Sequence, residues 1–77
     1  MWYVYILKCS DNEMYTGCTN DLKDRIYRHT NGHIPATEKR RPIELKNYVA
    51  FNDKYKAFEF EKYLKSGSGR AFIKKHF

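Results

Sequence analysis

The sequence is short of several features that would assign it to other protein classes. No apolar segment approaches the roughly 20 residues that a helix needs to cross a bilayer, so we expect no membrane partner. Only two cysteines occur, Cys9 and Cys18, without the Cys/His spacing of a structural zinc site. No signal peptide precedes the first predicted strand, which indicates a reduced, cytoplasmic setting. Without repeats or a linker, residues 1–77 are predicted to form a single domain.

The composition is rich in aromatic and basic residues. Aromatic residues make up 17% of the 77 residues, with seven Tyr and five Phe, so that a small core can bury much area per side chain. Fifteen Lys and Arg against nine Asp and Glu give a formal net charge of +6. On so short a chain this excess favours a polyanionic partner, and nucleic acid is the first candidate. A basic domain that is merely soluble is the alternative.

The start of the chain has the pattern of a β-hairpin. Residues 2–9 and 14–18 have strand composition, and residues 10–13 have turn composition. The length of the loop is left open. A two-residue loop would place Tyr5 and Tyr15 on opposite faces of the sheet. A three-residue loop, with Asn12 in the left-handed conformation, would set Tyr5 opposite Gly17 and make the two tyrosines diagonal neighbours about 7–8 Å apart.

The rest of the chain is predicted to contain three helices and one strand. Thr19 or Asn20 can cap the first helix, which runs over residues 21–30 and ends at an Asn-Gly pair. On this helix Arg25 and His29 are spaced i, i+4 and project side by side. The later predictions are a loop over 33–43, a strand over 44–51, a helix over 54–66, a break at Gly67 and Gly69, and a helix over 70–77. The predicted fold class is α+β, a small three-stranded sheet flanked by helices in the order β-β-α-β-α-α, in which the direction of the third strand is open.

This ordered set of residues resembles the GIY-YIG nuclease family over essentially the whole chain. The first family motif corresponds to Tyr3-Val4-Tyr5, with Tyr in place of the usual Gly. The second corresponds to Tyr15-Thr16-Gly17, with Thr in the middle place, and the motif tyrosines lie ten residues apart, which fits the family. A helical Arg follows at Arg25, His29 lies one turn further on, and the later helix carries Glu61 ahead of "KYLK".

The resemblance implies an endonuclease that hydrolyses phosphodiester bonds in DNA, directed by the structure of the substrate or by damage. Glu61 would bind one divalent ion, Mg²⁺ or Mn²⁺, because Mg²⁺ prefers oxygen ligands and often takes a single carboxylate. Arg25 would hold the phosphate, and Tyr5 or Tyr15 would position or deprotonate the attacking water. His29 would relay a proton or bind phosphate. No organic cofactor is implied.

Further residues receive expected roles around this site. Gly17 is expected to keep its strand open to the substrate. Position 18 departs from the family pattern, because several nuclease members have Lys after this Gly and the present chain has Cys18. Phosphate contacts are expected from the basic loop and the C-terminal segment. These candidates are Lys39, Arg40, Arg41, Lys65, Arg70, Lys74 and Lys75.

Without the family pattern each of these residues also has an ordinary structural interpretation. The motif tyrosines would be sheet packing, Arg25 and His29 a solvated helix face, and Glu61 an exposed charge paired with Lys65. Two rival functions follow, a catalytically silent nucleic-acid-binding module of the same fold and a protein-interaction adaptor. DNA is favoured over RNA as the substrate, and the oligomeric state is left open.

Overall fold

The computed structural model describes residues 1–77 as three strands, three α-helices and one short 3₁₀ helix. In chain order the elements are β1 (Trp2–Lys8), β2 (Met14–Thr19), α1 (Leu22–Thr30), the 3₁₀ helix (Glu38–Arg40), β3 (Glu44–Phe51), α2 (Lys54–Leu64) and α3 (Gly67–His76). The α+β class and the order β-β-α-β-α-α are confirmed. No helix combines the length and the apolar character that crossing a membrane requires.

The strands form one sheet in the order β2-β1-β3, with β1 in the centre. Both neighbours of β1 run antiparallel to it, which establishes the direction of β3. The register between β1 and β3 shifts between Ile6 and Leu7. β2 is therefore an edge strand, and its outer edge is not covered by another strand.

The loop between β1 and β2 has three residues, which is one of the two predicted lengths. The Cys9 N–H donates to the Glu13 carbonyl at 2.9 Å, and Asn12 adopts a φ of 65°. Tyr5 consequently lies opposite Gly17, and Tyr15 lies opposite Leu7. Since residues directly opposite in a sheet share a face, Tyr5 and Tyr15 are on the same face.

The two faces of the sheet are packed differently. Val4 and Ile6 of β1 point to one face, where they form the apolar core with Ala57 and Leu64 of α2 and Ile73 of α3. The other face carries Tyr3, Tyr5 and Leu7, of which the last two are fully buried. The loop after α1 and α1 itself cover part of this second face, which we call the tyrosine face.

The N-cap of the first helix follows directly after the two predicted candidates, Thr19 and Asn20. Asp21 is the N-cap, and its carboxylate accepts a hydrogen bond from the Asp24 N–H at 3.0 Å. Thr19 instead accepts from the Asp21 N–H at 3.0 Å and so orders the residue that caps. The predicted end of the helix is confirmed, with Asn31 as C-cap and Gly32 at a φ of 75°.

The junction between α2 and α3 differs from its prediction. The second helix ends at Leu64, and α3 begins at Gly67, so that the two glycines lie inside the last helix and do not precede it. Ser66 caps α3 by accepting from the Gly69 N–H at 3.1 Å. A Cβ at Gly69 would collide with the Tyr63 carbonyl and with Leu64, so glycine permits α3 to pack closely on the end of α2.

Candidate active site

Tyr5 and His29 form the buried centre of the candidate site. The hydroxyl of Tyr5 lies 2.8 Å from Nε2 of His29, and both side chains are completely buried. On the opposite side of the imidazole ring, Nδ1 lies 2.7 Å from Oγ1 of Thr37, which is also buried. The interpretation of His29 as part of a solvated helix face is therefore wrong. Thr37 was not among the residues that the sequence singled out.

The two contacts of His29 fit either of its neutral tautomers, and the neighbouring Arg25 favours one of them. The Arg25 guanidinium group is close enough to Tyr5 to act against the rise of its pKa, and a guanidinium group can only donate hydrogen bonds. A cation on that side favours the arrangement in which the Tyr5 oxygen faces Arg25 and its proton is directed at Nε2 of His29. In this arrangement the ring proton is on Nδ1 and is donated to Thr37.

The electrostatics of the pair keep both groups neutral near pH 7. Burial raises the pKa of Tyr5 to about 12, although the neighbouring Arg25 acts in the opposite direction. Burial, followed by the positive charge of Arg25, lowers the pKa of His29 below its ordinary value. In the free protein Tyr5 consequently keeps its hydroxyl proton, and His29 is a neutral imidazole.

Gly17 makes room for Tyr5 and does not open the strand to solvent. Gly17 is buried, and a Cβ at this position would collide with the ring and the hydroxyl of Tyr5. The phenol ring of Tyr5 occupies the space that a side chain would take. The expected role of Gly17 in admitting substrate is thus replaced by a packing role that positions Tyr5.

Tyr15 completes an aromatic cluster on the tyrosine face. Its ring centroid is 6.5 Å from that of Tyr5 and 5.3 Å from that of His29. Unlike Tyr5, Tyr15 is only partly buried. The structure therefore places four of the predicted catalytic residues together, namely Tyr5, Tyr15, Arg25 and His29.

Glu61 reaches the same region from α2. Its negative charge is close enough to raise the pKa of Tyr5 further, after the larger effect of burial. Burial also raises the pKa of the Cys18 thiol, with the charge of Glu61 as the next cause, while Arg25 and Lys65 oppose it. Glu61 Oε2 lies 3.1 Å from Lys65 Nζ, so the predicted i, i+4 contact is present. No three His, Cys, Asp or Glu side chains converge to form a metal cage.

A groove of about 910 Å³ is lined by residues 12–16 of the hairpin, which include Tyr15, and is basic because four cations line it against one acidic residue, Glu13. Four of the predicted phosphate-binding residues line it, although they come from distant parts of the chain. These are Arg40, Lys65, Arg70 and Lys74. Phe77 also lines the groove. The groove is thus lined by cations and by two aromatic rings, of which one is the candidate catalytic Tyr15.

The remaining basic candidates have other surroundings. Arg41 donates from Nε to the Glu38 carbonyl at 2.9 Å, and its guanidinium group lies over Gly32. Lys39 and Lys75 are exposed and do not line the groove. The structure therefore does not bring these three to the site.

Within the groove, Arg40 is already paired. Its Nε donates to Asp11 Oδ2 at 2.9 Å, and this hydrogen bond holds the pKa of Asp11 below its ordinary value. The Arg40 carbonyl also accepts from the Ser10 N–H at 2.9 Å. Arg40 thereby ties the loop after α1 to the hairpin turn, and this contact also helps to hold the Thr37 segment in place.

Comparison with known proteins assigns the family. Residues 1–75 match the model of the GIY-YIG catalytic domain. The chain belongs to the GIY-YIG family. Its relatives include a UPF0213 protein of Clostridium perfringens, 46% identical over 84% of this chain and 71% of that protein. A UPF0213 protein of Streptococcus agalactiae is 38% identical over 96% of this chain and 89% of that protein.

A solved structure supports the same assignment. The solution NMR structure of a UPF0213 protein from Bacillus halodurans matches with a TM-score of 0.62 and 35% identity, covering 97% of this chain and 84% of that one. The UPF0213 proteins are a small, stand-alone group within the GIY-YIG family. Members of the GIY-YIG family are generally nucleases, which implies a nucleic-acid substrate, and they generally use a divalent metal ion.

Proposed function

We propose that the protein is a metal-dependent endonuclease that hydrolyses phosphodiester bonds in DNA. The observation that carries the proposal is the convergence of Tyr5, Tyr15, Arg25 and His29 at the edge of a basic groove. An aromatic hairpin built only for packing would have no need of a buried hydroxyl–imidazole pair beside an arginine. Buried polar groups are costly unless they are hydrogen-bonded, so such a pair is a candidate functional feature.

The two tyrosines have different parts in the proposed reaction. Tyr15 is partly exposed and lines the groove, so it is the phenol that can position the attacking water. Tyr5 is buried, has a pKa of about 12 and is hydrogen-bonded to His29, so it is a poor base in the free protein. Its part is to orient Arg25 and His29. Arg25 holds the scissile phosphate and stabilises the negative charge that develops on it.

Glu61 is the residue proposed to hold the metal ion. A single carboxylate suits Mg²⁺ or Mn²⁺, because Mg²⁺ keeps several waters and often uses one or two protein carboxylates plus substrate phosphates. The side chain of Glu61 is 24% exposed, so it is held by packing and is still partly open to solvent. When bound, the ion would polarise the phosphate and favour departure of the leaving oxygen.

The groove supports a substrate recognised through its backbone. Lys65, Arg70 and Lys74 are exposed cations that can contact phosphates, and such contacts carry no sequence information. A chain of 77 residues offers little surface for reading base edges in addition. We therefore propose that nicks, branches or damage direct the enzyme, and that a long recognition sequence does not.

A nuclease assay on the full chain tests this proposal. Purified protein is incubated with nicked, branched and intact duplex DNA, and with RNA of the same sequences, in Mg²⁺ or Mn²⁺. We expect cleavage of the nicked or branched DNA that is lost on chelation and in Glu61→Gln. Glu59→Gln is the matched control, because Glu59 is an exposed carboxylate on the same helix and should be dispensable. Cleavage that survives Glu61→Gln unchanged would contradict the assigned site.

Three observations favour a second candidate function, a nucleic-acid-binding module without catalysis. Glu61 is paired with Lys65, Tyr5 holds its proton tightly, and Cys18 stands where several family nucleases have Lys. Such a module would bind nucleic acid in the groove without hydrolysing phosphodiester bonds. It predicts DNA binding that weakens linearly in a log–log plot against salt, with no cleavage in either metal.

A further inference from the structure

The carboxylate proposed to hold the metal already has a cationic partner. Lys65 Nζ lies 3.1 Å from Glu61 Oε2, one turn further along the chain. The side chain of Glu61 is 24% exposed and that of Lys65 is 54% exposed, so Lys65 is the more exposed member of the pair. Lys65 also lines the groove that contains Tyr15. The ammonium group therefore borders both the carboxylate and the surface assigned to the phosphate backbone.

We propose that Lys65 is an exchangeable counter-ion. In the free protein it neutralises Glu61. When a divalent ion takes the carboxylate, Lys65 moves to a phosphate of the nucleic acid in the groove. This inference rests on the proposed function, because it concerns the metal ion and the substrate assigned to the same site.

The chemistry of lysine suits such an exchange. The ammonium group is a compact charge with three donors on a flexible four-carbon stem, so it can change partners without moving the helix. An ion pair that is partly open to solvent contributes little net free energy, so separating it costs little. The distance from the carboxylate to the groove is spanned by the same side chain that lines both.

The exchange would couple the two ligands. A cation held at a carboxylate oxygen opposes the arrival of a second cation there, so Lys65 weakens metal binding to the free protein. A phosphate that draws Lys65 away removes this opposition. Metal and nucleic acid then raise each other's affinity by the same factor, as linkage requires.

Other charged pairs in the molecule do not have this arrangement. Asp24 and Arg28 have the same i, i+4 spacing on α1, but both side chains are half exposed and neither lines the groove. Arg70 and Lys74 line the groove without an ion pair. Among the groove cations, Lys65 alone is joined to the proposed metal ligand.

Binding of Mn²⁺ to the full chain, followed by the electron paramagnetic resonance of the free ion, tests the inference. The affinity is measured with and without a nicked duplex whose phosphorothioate linkages resist cleavage. Lys65→Met is compared with Lys62→Met, which removes the same charge from an exposed position on the same helix. Without DNA, we expect Lys65→Met to bind Mn²⁺ about threefold tighter than the wild type, the range of an exposed ion pair. The stimulation of Mn²⁺ binding by DNA should fall by the same factor, while Lys62→Met behaves as the wild type.

Two results would overturn the inference in different ways. If Lys65→Met and Lys62→Met bind Mn²⁺ equally, Lys65 is not the counter-ion, and the proposed function is untouched. If Glu61→Gln binds Mn²⁺ as tightly as the wild type, the metal is not at Glu61. In that case the metal assignment of the proposed function fails together with the inference.

Discussion

Neighbouring residues of β1 enter two environments that differ in chemistry. Val4 and Ile6 pack against apolar side chains of α2 and α3. Tyr5, which lies between them in the chain, is equally buried but is hydrogen-bonded to His29 and packs against the rings of His29 and Tyr15. One face of the sheet thus stabilises the fold by burial of apolar area. On the tyrosine face, buried hydrogen bonds hold polar side chains in fixed positions. Substitutions on the two faces should therefore change stability for different physical reasons, through lost apolar burial on one face and through lost hydrogen bonds on the other.

The largest effect is expected in the apolar core. Leu64→Ala should lower the free energy of unfolding by about 2–5 kcal/mol, because it removes a fully buried side chain and leaves a cavity between α2 and the sheet. Urea unfolding followed by circular dichroism measures the loss. Tyr55→Ala on the same helix is the control, since Tyr55 is 74% exposed and should change stability by no more than about 0.5 kcal/mol. Similar losses in the two variants would contradict the assignment of the core.

The next largest effect is a loss of stability at alkaline pH, caused by ionisation of Tyr5 on the tyrosine face. The pKa of Tyr5 is about 12 in the folded protein against 10.0 ordinarily, so the folded state holds this proton more tightly than the unfolded chain. The contribution is complete below pH 10 and is lost between about pH 10 and 12, amounting to about 2–3 kcal/mol. Unfolding of the wild type and of Tyr5→Phe across this range measures it. Parallel pH profiles of the two proteins would show that Tyr5 is not responsible.

A somewhat smaller effect is expected at Thr37. Thr37→Val keeps the shape of the side chain but leaves the buried Nδ1 of His29 without its hydrogen-bond partner, which should cost about 1–3 kcal/mol. Thr37→Ser retains the hydroxyl and should lose less. Both free energies come from urea unfolding at pH 7. A valine variant as stable as the wild type, or less destabilised than the serine variant, would remove Thr37 from the hydrogen-bonded chain.

The smallest effect is expected on DNA binding by the basic groove. Lys74→Ala should weaken DNA binding equally for all sequences and lower the slope of log affinity against log salt by about one. Lys39→Ala removes the same charge outside the groove and should leave that slope nearly unchanged. Fluorescence anisotropy at several salt concentrations measures both. Equal slopes in the two variants would show that net charge, and not the groove, determines binding.

Local chemistry explains how much of the fold could be predicted from the sequence. The ends of β3 and the Asn-Gly stop of α1 follow from strand propensity and capping, which act between near neighbours. The hairpin loop could only be narrowed to two lengths, since its turn residues suit both. Long-range contacts distinguish them, because Tyr5 must pack against Gly17 and the Arg40 carbonyl must meet Ser10.

The candidate site was predictable only in part for the same reason. The order of the two tyrosines, Arg25, His29 and Glu61 along the chain indicated the family, and the family match bears out that resemblance. Thr37 lies in an irregular loop, where no periodicity or spacing marks a buried hydroxyl. Its partner is eight residues away and on another element, so only the folded chain brings them together.

The most direct test of the account is the rate of single-turnover cleavage in a matched pair of tyrosine variants. Tyr15→Phe removes the hydroxyl proposed to act on the attacking water, whereas Tyr3→Phe removes one from a tyrosine of the same face that packs on Tyr48. On the DNA structure that the wild type cleaves, we expect Tyr15→Phe to be slower by about a hundredfold or more, with little change in DNA affinity. Tyr3→Phe should cleave as the wild type does. A wild-type rate in Tyr15→Phe, or an equal loss in Tyr3→Phe, would contradict the assignment of the chemistry to Tyr15.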